Sequence, residues 1–250
     1  MRPNKLKQIW ASGKASVDCW LMLPSAISAE LLAHQGWDSL TIDQEHGQAD
    51  HAGMVQILTA VSTTDAVPLV RVKWNDPGDI MRALDAGAYG VICPMIETAE
   101  DCGKFVGACR YAPAGYRSYG PRRAAIYAGD DYALYANDTV LAIAQIETLK
   151  GLNNIAAIAA VPGLDMLYVG PNDMRLTMGL QPNTRVEEPA ILAVCDQVIA
   201  AARKAGVRSG MFCSNIEDAQ AMIARGFDHV TAILDDVLLS AGAAMRKQLP

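Results

Sequence analysis

The sequence has no excess of basic residues and no long apolar run. Its 250 residues include 21 Lys and Arg against 27 Asp and Glu, which gives a net charge of -6. Nonspecific nucleic-acid binding and polybasic membrane contact both need a positively charged face, so we expect neither partner. No stretch approaches the roughly 20 consecutive apolar residues that a transmembrane helix needs. The composition therefore predicts a soluble globular protein.

Closely spaced cysteines and a secretion signal are also missing. The six cysteines are scattered without a C-x-x-C pair, which argues against a zinc site and a disulfide scaffold. The segment Met1–Trp10 has basic residues but no apolar run and no small-residue cleavage site. These absences predict a cytoplasmic protein with reduced, buried cysteines.

Short apolar runs alternate with longer amphipathic stretches along the whole chain. Several amphipathic stretches end in Gly at a helix C-cap position, as at Gly36, Gly87, Gly206 and Gly226. This repetition predicts parallel strands joined by right-handed helical crossovers. The predicted strands are Val17–Leu23, Ser39–Ile42, Val67–Val72, Gly90–Cys93, Val140–Ile146, Met166–Val169, Arg208–Phe212 and Phe227–Ile233.

Eight such units match the size of a (β/α)8 TIM barrel that forms a single domain over residues 1–250. The alternative is a doubly wound open sheet. That fold more often has a Gly-rich dinucleotide turn after the first strand, where this chain has LMLPSAIS. One segment departs from the alternation of apolar runs and amphipathic stretches, since Tyr111–Asp138 is rich in Pro, Gly, Tyr and Arg. Its length predicts a functional βα-loop insertion.

Ionisable and amide side chains cluster where the predicted strands end, and barrel enzymes place their active sites at that end. Strand alternation places Gln145 and Glu147 on the same side of the fifth strand. Glu147 and Asp173 follow adjacent strands and are candidate ligands of a hard cation such as Mg²⁺ or Mn²⁺. The alternative is that each carboxylate caps the helix that follows it.

His46 comes just after a predicted strand, and Arg71 lies at the end of the third predicted strand. His46 has carboxylates beside it, as a general acid–base requires, although an ordinary loop histidine fits the same position. Arg71 is either a surface ion-pair partner or a clamp for a substrate carboxylate. Their spacing alone leaves both alternatives open.

Five phrases, in order over nearly the whole chain, resemble one known family. They are AELLAHQGWDSLTIDQEHGQAD, VPLVRVKWNDPGDIMRALDAGAYGVICPMIETAEDC, RYAPAGYRSYGP, QIETLKGLNNIAAIAAVPGLDMLYVGPNDM and the LG-like Met178–Leu180. The sequence is similar to the HpcH/HpaI aldolases, which are class II, metal-dependent pyruvate aldolases with a TIM-barrel fold. The combination of IDxEH, VRVxWND, QIET and VGPND is far more specific than any one of these motifs.

The resemblance implies a role for each matching residue. His46 would be the catalytic acid–base, with Asp43 as its hydrogen-bond partner and Asp85 as the carboxylate that raises its basicity. Arg71 would stabilise the enolate. The metal ligands would be Glu147 and Asp173, and the substrate-binding residues Arg71, Gln145, Gly170, Pro171, Asn172, Asp173 and Phe212. The implied cofactor is a divalent ion, Mg²⁺, Mn²⁺ or Co²⁺, with no organic cofactor.

The implied activity is reversible cleavage of a 4-hydroxy-2-oxo acid to an aldehyde and pyruvate, or to a related 2-oxo acid such as hydroxypyruvate. The resemblance also implies a homohexamer, a trimer of dimers, in which paired subunits exchange the C-terminal helix. Apolar residues at helical spacing over Leu234–Leu249 are consistent with such a helix.

The chain departs from the family pattern where the aldehyde should lie. Phe212 stands where aliphatic residues are common, and GYRSYGPRRA replaces a stretch of smaller residues. The aromatic and cationic residues there predict an aldehyde with a hydroxyl or carboxylate at its far end. The alternative is that the arginines only order the loop. The residues concerned are Tyr116, Arg117, Tyr119, Arg122 and Arg123.

Other activities fit some of the same residues. A Schiff-base aldolase would use Lys73, which has the same strand parity as Arg71. A metal-dependent oxaloacetate decarboxylase or an acyl-CoA lyase would need the same metal and arginine. The acyl-CoA lyase would also need a basic cluster for the nucleotide phosphates. A barrel that only binds a keto acid is the non-catalytic alternative.

Overall fold

Eight parallel strands close into a barrel in the computed structural model, which describes residues 1–182 and 186–247. Each strand pairs with the next along the chain, and β8 pairs with β1. The predicted (β/α)8 barrel is confirmed, and the open doubly wound sheet is wrong because the sheet has no free edge. The strands are β1 (Ser16–Leu21), β2 (Ser39–Asp43), β3 (Val67–Arg71), β4 (Gly90–Cys93), β5 (Leu141–Ile146), β6 (Met166–Val169), β7 (Arg208–Phe212) and β8 (His229–Leu234).

A helix follows every strand, and side-chain caps mark the first residues of several of these helices. The side chains of Ser25, Asp50, Asp76 and Thr98 each accept a backbone hydrogen bond from the residue three positions later. The helices are α1 (Lys5–Ala11), α2 (Ala26–Ala33), α3 (His51–Val61), α4 (Pro77–Asp85), α5 (Ala99–Cys109), α6 (Arg122–Ala128), α7 (Tyr132–Thr139), α8 (Leu149–Asn153), α9 (Ile155–Ala159), α10 (Pro171–Thr177), α11 (Pro189–Ala205), α12 (Ile216–Arg225) and α13 (Asp235–Arg246).

The segment Tyr111–Asp138 lies at the opposite end of the barrel from the end predicted. It follows α5 and precedes β5, so it connects a helix to a strand and does not form a βα loop. Much of it forms α6 and α7, whose small and aromatic residues Ala124, Tyr132 and Ala136 are buried. The prediction of a βα-loop insertion is wrong because α5 has already returned the chain to the end where the strands begin.

Strand alternation divides the buried residues into two layers. Residues such as Ile42, Val70 and Ile146 alternate with the cavity-lining residues of their strands, so they face the surrounding helices. All six cysteines are buried and unpaired. Within residues 1–182 and 186–247, no helix is both long enough and apolar enough to cross a membrane.

Candidate active site

A cavity of about 180 Å³ opens at the end of the barrel where the strands finish. It brings together every residue to which the resemblance assigned a role in the site, except Asp85, which lies elsewhere. Lys73, the candidate for a Schiff base, is not part of its lining. The lining residues are Trp20, Met22, Asp43, His46, Arg71, Gln145, Glu147, Tyr168, Gly170, Pro171, Asn172, Asp173, Phe212 and Leu234.

Arg71 is held in this cavity by two carboxylates. Its Nε lies 3.0 Å from Asp43 Oδ1 and its Nη2 lies 2.6 Å from Asp43 Oδ2, which is a bidentate pair. The two residues are register partners at the ends of β2 and β3. Arg71 Nη1 lies 2.9 Å from Glu45 Oε2. Burial alone would raise the pKa of Asp43, but the hydrogen bonds and charge of Arg71 hold that pKa below its ordinary value.

The loop after β2 presents the imidazole of His46 to solvent. Asp43 Oδ1 accepts hydrogen bonds from the backbone N–H groups of Glu45, at 2.9 Å, and His46, at 3.2 Å. Asp43 therefore fixes the loop backbone and Arg71, whereas the resemblance implied a bond to the imidazole itself. The His46 side chain is 63% exposed, and its Nε2 lies 3.9 Å from Glu45 Oε1. The imidazole is open to a substrate at the cavity rim.

Glu45 is a partly buried carboxyl group to which neither the spacing of the motifs nor the family resemblance assigned a specific role. Burial raises its pKa to about 7, and the positive charge of Arg71 opposes this rise. The negative charges of Glu147 and Asp43 raise the pKa further. Glu45 thus adds to a cluster of carboxyl groups whose mutual repulsion favours a bound cation.

Glu147 is fixed from two sides. Its Oε1 accepts the backbone N–H of Met95 at 2.8 Å, and its Oε2 accepts a hydrogen bond from Gln145 Nε2 at 2.5 Å. Burial raises the pKa of Glu147 despite the hydrogen bond from Gln145. The helix-cap alternative is wrong for this residue, since Thr148 is the cap of α8 and accepts the N–H of Gly151.

The residues around Glu147 fit a hard divalent cation. Asp173, in the first turn of α10, lines the same cavity, and its charge also raises the pKa of Glu147. Gln145 Oε1 is buried and accepts no hydrogen bond from the described residues. Within the described ranges, no three His, Cys, Asp or Glu side chains are arranged to hold a metal. Two carboxylates would therefore leave coordination positions for water and substrate oxygens.

Gly170 allows this arrangement because it has no side chain. It follows β6, and a Cβ at this position would overlap the carboxylate of Glu147 and the amide of Gln145. Any other residue would push the candidate metal ligand aside.

Apolar residues form another part of the cavity lining. The rings of Trp20 and Phe212 meet edge to face, with centroids 5.3 Å apart, and Met22 and Leu234 also line the cavity. Sequence reasoning named only Phe212 among these. Strand alternation could have placed Trp20 inside the barrel, since Trp20 is register partner to Thr41, two residues before Asp43.

Asp85 and the arginines of Tyr111–Asp138 lie outside the cavity. Asp85 Oδ1 accepts a hydrogen bond from Arg117 Nη2 at 2.7 Å, at the end of α4. Arg123 donates to the backbone oxygen of Ala86 at 2.6 Å. The prediction that this segment forms an aldehyde pocket is therefore wrong for a single chain. Arg117 has the structural role that was the alternative.

The sequence pattern of the HpcH/HpaI aldolase/citrate lyase family matches residues 17–240. The chain belongs to this family. It is 40% identical over 240 residues to a hydroxypyruvate/pyruvate aldolase from Rhizorhabdus wittichii, covering 96% of each chain. It is 34% identical over 243 residues to a 4-hydroxy-2-oxo-heptane-1,7-dioate aldolase from Salmonella dublin, covering 96% of this chain and 92% of that protein.

A solved structure of an HpcH/HpaI family protein shares the barrel described above. The crystal structure of an HpcH/HpaI aldolase/citrate lyase family protein from Burkholderia cenocepacia J2315 superposes with a TM-score of 0.90. The two chains are 33% identical, and the match covers 98% of each. Both the sequence and the fold thus place this chain among the HpcH/HpaI proteins.

Proposed function

We propose that this protein is a metal-dependent aldolase that reversibly cleaves a 4-hydroxy-2-oxo acid to an aldehyde and pyruvate or hydroxypyruvate. The observation that carries the proposal is the meeting of three groups in one cavity: the clamped guanidinium of Arg71, the carboxylates of Glu147 and Asp173, and the open imidazole of His46. The activities named for the relatives support the same reaction class.

The carboxylates of Glu147 and Asp173 would hold the divalent ion, Mg²⁺, Mn²⁺ or Co²⁺. When bound, the ion would supply a Lewis acid to the oxygens of the 2-oxo acid. Gln145, hydrogen-bonded to Glu147, keeps its own Oε1 available to a hydroxyl donor of the substrate or to water. The walls formed by Gly170, Pro171 and Asn172 would enclose the small 2-oxo acid.

Arg71 stabilises the charge that develops when the carbon–carbon bond breaks. In cleavage, the electron pair of the C3–C4 bond becomes the enolate of the 2-oxo acid, with negative charge on the C2 oxygen. A guanidinium already fixed by Asp43 and Glu45 can donate to this oxygen without reorganising during the reaction.

His46 moves the proton in this step. Its exposed imidazole accepts the proton of the C4 hydroxyl, directly or through water, as the C4 oxygen becomes the carbonyl of the released aldehyde. Protonation of the enolate at C3 then gives the 2-oxo acid. Synthesis runs through the same steps in reverse.

The aldehyde binds against the apolar part of the lining. Met22, Phe212 and Leu234 offer it no charged partner. We therefore drop the carboxylate from the expected aldehyde and propose a preference for uncharged aldehydes, including the hydroxylated ones expected from the sequence.

The functional unit is a homo-oligomer, a hexamer, in the cytoplasm. Asp85 has no access to His46 within one chain, and it borders a separate outer cavity with His51 and Arg82. Asp85 serves the His46 of a neighbouring subunit. This assignment reconciles the role implied by the family with the position of Asp85 on the outside of the barrel.

The test combines activity with metal binding. Protein stripped by a chelator should lose cleavage activity and regain it with Mg²⁺, Mn²⁺ or Co²⁺. Glu147→Gln should weaken Mn²⁺ binding by calorimetry, whereas Glu97→Gln, which removes a carboxylate paired with the exposed Lys150, should not. Full activity after exhaustive chelation, or a covalent adduct at Lys73 after borohydride reduction with pyruvate, would refute the proposal.

A further inference from the structure

A buried carboxyl group lies beneath the cavity and takes no part in the steps above. Asp18, on β1, is fully buried two residues before Trp20, which lines the cavity. Its Oδ1 accepts hydrogen bonds from Ser39 Oγ at 2.6 Å and Thr41 Oγ1 at 3.0 Å. Its Oδ2 accepts one from Thr231 Oγ1 at 3.2 Å. Burying a carboxyl group among strands is costly, so its presence needs an explanation.

The contact between Thr231 and Tyr168 extends this network toward the cavity. Thr231 Oγ1 lies 2.6 Å from the hydroxyl oxygen of Tyr168. A threonine hydroxyl has one hydrogen, so when Thr231 donates to Asp18, Tyr168 must donate to Thr231. The carboxylate of Asp18 thereby sets the direction of the hydrogen bond that fixes the Tyr168 hydroxyl.

Tyr168 packs against Trp20, and Trp20 contacts Arg71. Its ring stacks on Trp20, with centroids 6.1 Å apart and an interplanar angle of 21°. Space for the Tyr168 ring comes from Gly210, where a Cβ would overlap the ring. Arg71 Cζ lies 4.9 Å from the Trp20 ring centroid, and Trp20 Nε1 donates to Asp43 Oδ2 at 3.1 Å. The contacts run without a gap from Asp18 to the Arg71–Asp43 pair.

The sheet is irregular beside Asp18. The pairing of β1 with β8 shifts between Asp18 and Cys19, so that Asp18 pairs with Thr231 but Cys19 pairs with Ile233. Such bulges re-aim side chains near active sites. Here Thr231 pairs with Asp18 before the bulge, and Leu234, which pairs with Trp20 after it, lines the cavity.

We propose that Asp18 is a positioning residue, which holds the Tyr168–Trp20 stack through Thr231 and thereby orients the guanidinium of Arg71. The inference rests on the proposed aldolase function, because that reaction is what gives the orientation of Arg71 its importance. When ionised, the buried carboxylate of Asp18 costs the barrel stability, and the hydrogen bonds from Ser39, Thr41 and Thr231 offset only part of that cost.

Like Glu45, which lies against Arg71, Asp18 changes charge near neutral pH. Burial raises its pKa to about 7, although the hydroxyls of Ser39, Thr41 and Thr231 oppose this rise. Burial likewise keeps the neighbouring Tyr168, Cys213 and Cys19 protonated and lowers the pKa of His229 to about 4. Asp38, before β2, adds a negative charge that raises the pKa of Asp18, and the positive charge of Arg71 opposes the rise in the pKa of Tyr168.

The decisive variant is Asp18→Asn, which keeps the shape of the side chain. Its amide N–H can donate to Thr231, so the Thr231 hydroxyl would then donate to the Tyr168 oxygen and no longer accept from it. Because the folded-state pKa of Asp18 lies above its unfolded value, ionisation destabilises the native protein as pH rises. Asp18→Asn should therefore raise the melting temperature at pH 8. Its kcat for cleavage should fall about tenfold, with KM for the hydroxy-oxo acid within about twofold.

A double-mutant cycle separates positioning from packing. In a Tyr168→Phe background, Asp18→Asn should lower kcat by less than about twofold, since the connection is already broken. Ser39→Ala removes a hydroxyl from the other carboxyl oxygen and should leave kcat near wild type. Additive losses in the cycle, an unchanged kcat in Asp18→Asn, or a melting temperature that falls together with kcat would overturn the proposal.

A measurement independent of activity keeps this test distinct from that of the proposed function. Asp18→Asn should change the near-ultraviolet circular dichroism of the Trp20–Tyr168 stack in the same sense as Tyr168→Phe, with an unchanged far-ultraviolet spectrum. Wild-type protein that cleaves no hydroxy-oxo acid would refute the proposed function. A near-ultraviolet spectrum of Asp18→Asn identical to wild type would refute the role of Asp18 itself.

Discussion

Arg71 contacts carboxylate oxygens through all three of its nitrogen atoms. Nε and Nη2 bind Asp43, and Nη1 lies near Glu45. A planar fork can satisfy two carboxylates and still keep its hydrogens in a fixed plane, whereas a lysine ammonium has one nitrogen and rotates freely. The geometry of this site therefore depends on the planar guanidinium group, and a positive charge without that shape would not reproduce it.

We expect Arg71→Lys to lower kcat for cleavage by about 100-fold or more, the loss typical when a donor to a developing oxyanion is removed. Steady-state kinetics of pyruvate release would measure it. Arg208→Lys is the matched control, because Arg208 pairs with Asp228 at the start of β7, far from the cavity. Near-wild-type turnover of Arg71→Lys would show that Arg71 contributes only its charge.

The positions of the site residues could be predicted from the sequence, but the groups that each residue binds could not be predicted as well. Asp43 ends β2, and Glu45 and His46 follow it, so their presence at the barrel mouth follows from the strand alone. Which group each one binds depends on the loop backbone. Asp43 turns to Arg71 and to two backbone N–H groups, and this leaves the imidazole of His46 near Glu45.

Strand alternation predicts the facing of side chains well where a strand is regular. On β5 it correctly places Gln145 and Glu147 together in the cavity. On β8 the predicted strand Phe227–Ile233 starts two residues too early and ends one residue too soon. Periodicity cannot anticipate the bulge beside Asp18, because a bulge depends on pairing with the neighbouring strand.

The connection between α5 and α6 is held in place by one buried cation. Arg117 has a fully buried side chain, which binds Asp85 and the hydroxyl of Tyr132 and lies over the ring of Tyr111, 4.4 Å from its centroid. These contacts join α4 and α7 to the segment between them. The composition of the segment suggested a binding loop, but Arg117 packs inside the protein and stabilises the fold.

Arg117→Ala should lower the free energy of unfolding by about 3–5 kcal/mol, the range for breaking a buried ion pair. The loss has two causes, because Asp85 loses its partner and a large cavity opens among the aromatic rings. Urea denaturation would measure it. Arg122→Ala, at an exposed position of α6, should change the stability by less than about 0.5 kcal/mol. Equal effects of the two variants would contradict this account.

Helix α13 leaves an apolar surface open to solvent. Val237, Leu238, Leu239 and Met245 are all exposed on this helix. Exposed apolar helix surfaces are typical of contact sites between chains, and the family resemblance implies such a contact through helix exchange. The stretch named from the sequence extends to Leu249, which lies outside the described residues.

Deleting the residues after Asp235 should give smaller, aggregation-prone species by light scattering. Asp235 itself is retained because it accepts the backbone N–H groups of Met22 and Leu23 and so anchors the end of β1. Leu239→Glu tests the same surface without truncation and should also shift the mass distribution. An unchanged mass and activity in both variants would show that α13 covers only its own barrel.

The position of Asp85 allows a decisive test of whether active sites are shared between subunits. Its side chain is 30% exposed and borders an outer cavity, so a loop of a neighbouring subunit can reach it. If Asp85 acts on the His46 of a neighbour, His46→Ala and Asp85→Ala should each be inactive as pure oligomers. Coexpression of the two variants should restore part of the wild-type activity, because mixed oligomers contain sites with both residues. His46→Ala coexpressed with Arg71→Ala is the control and should stay inactive, since both residues line the same cavity of one chain. Full activity of Asp85→Ala alone, or no recovery in the mixed oligomers, would exclude a role for Asp85 in the neighbouring site.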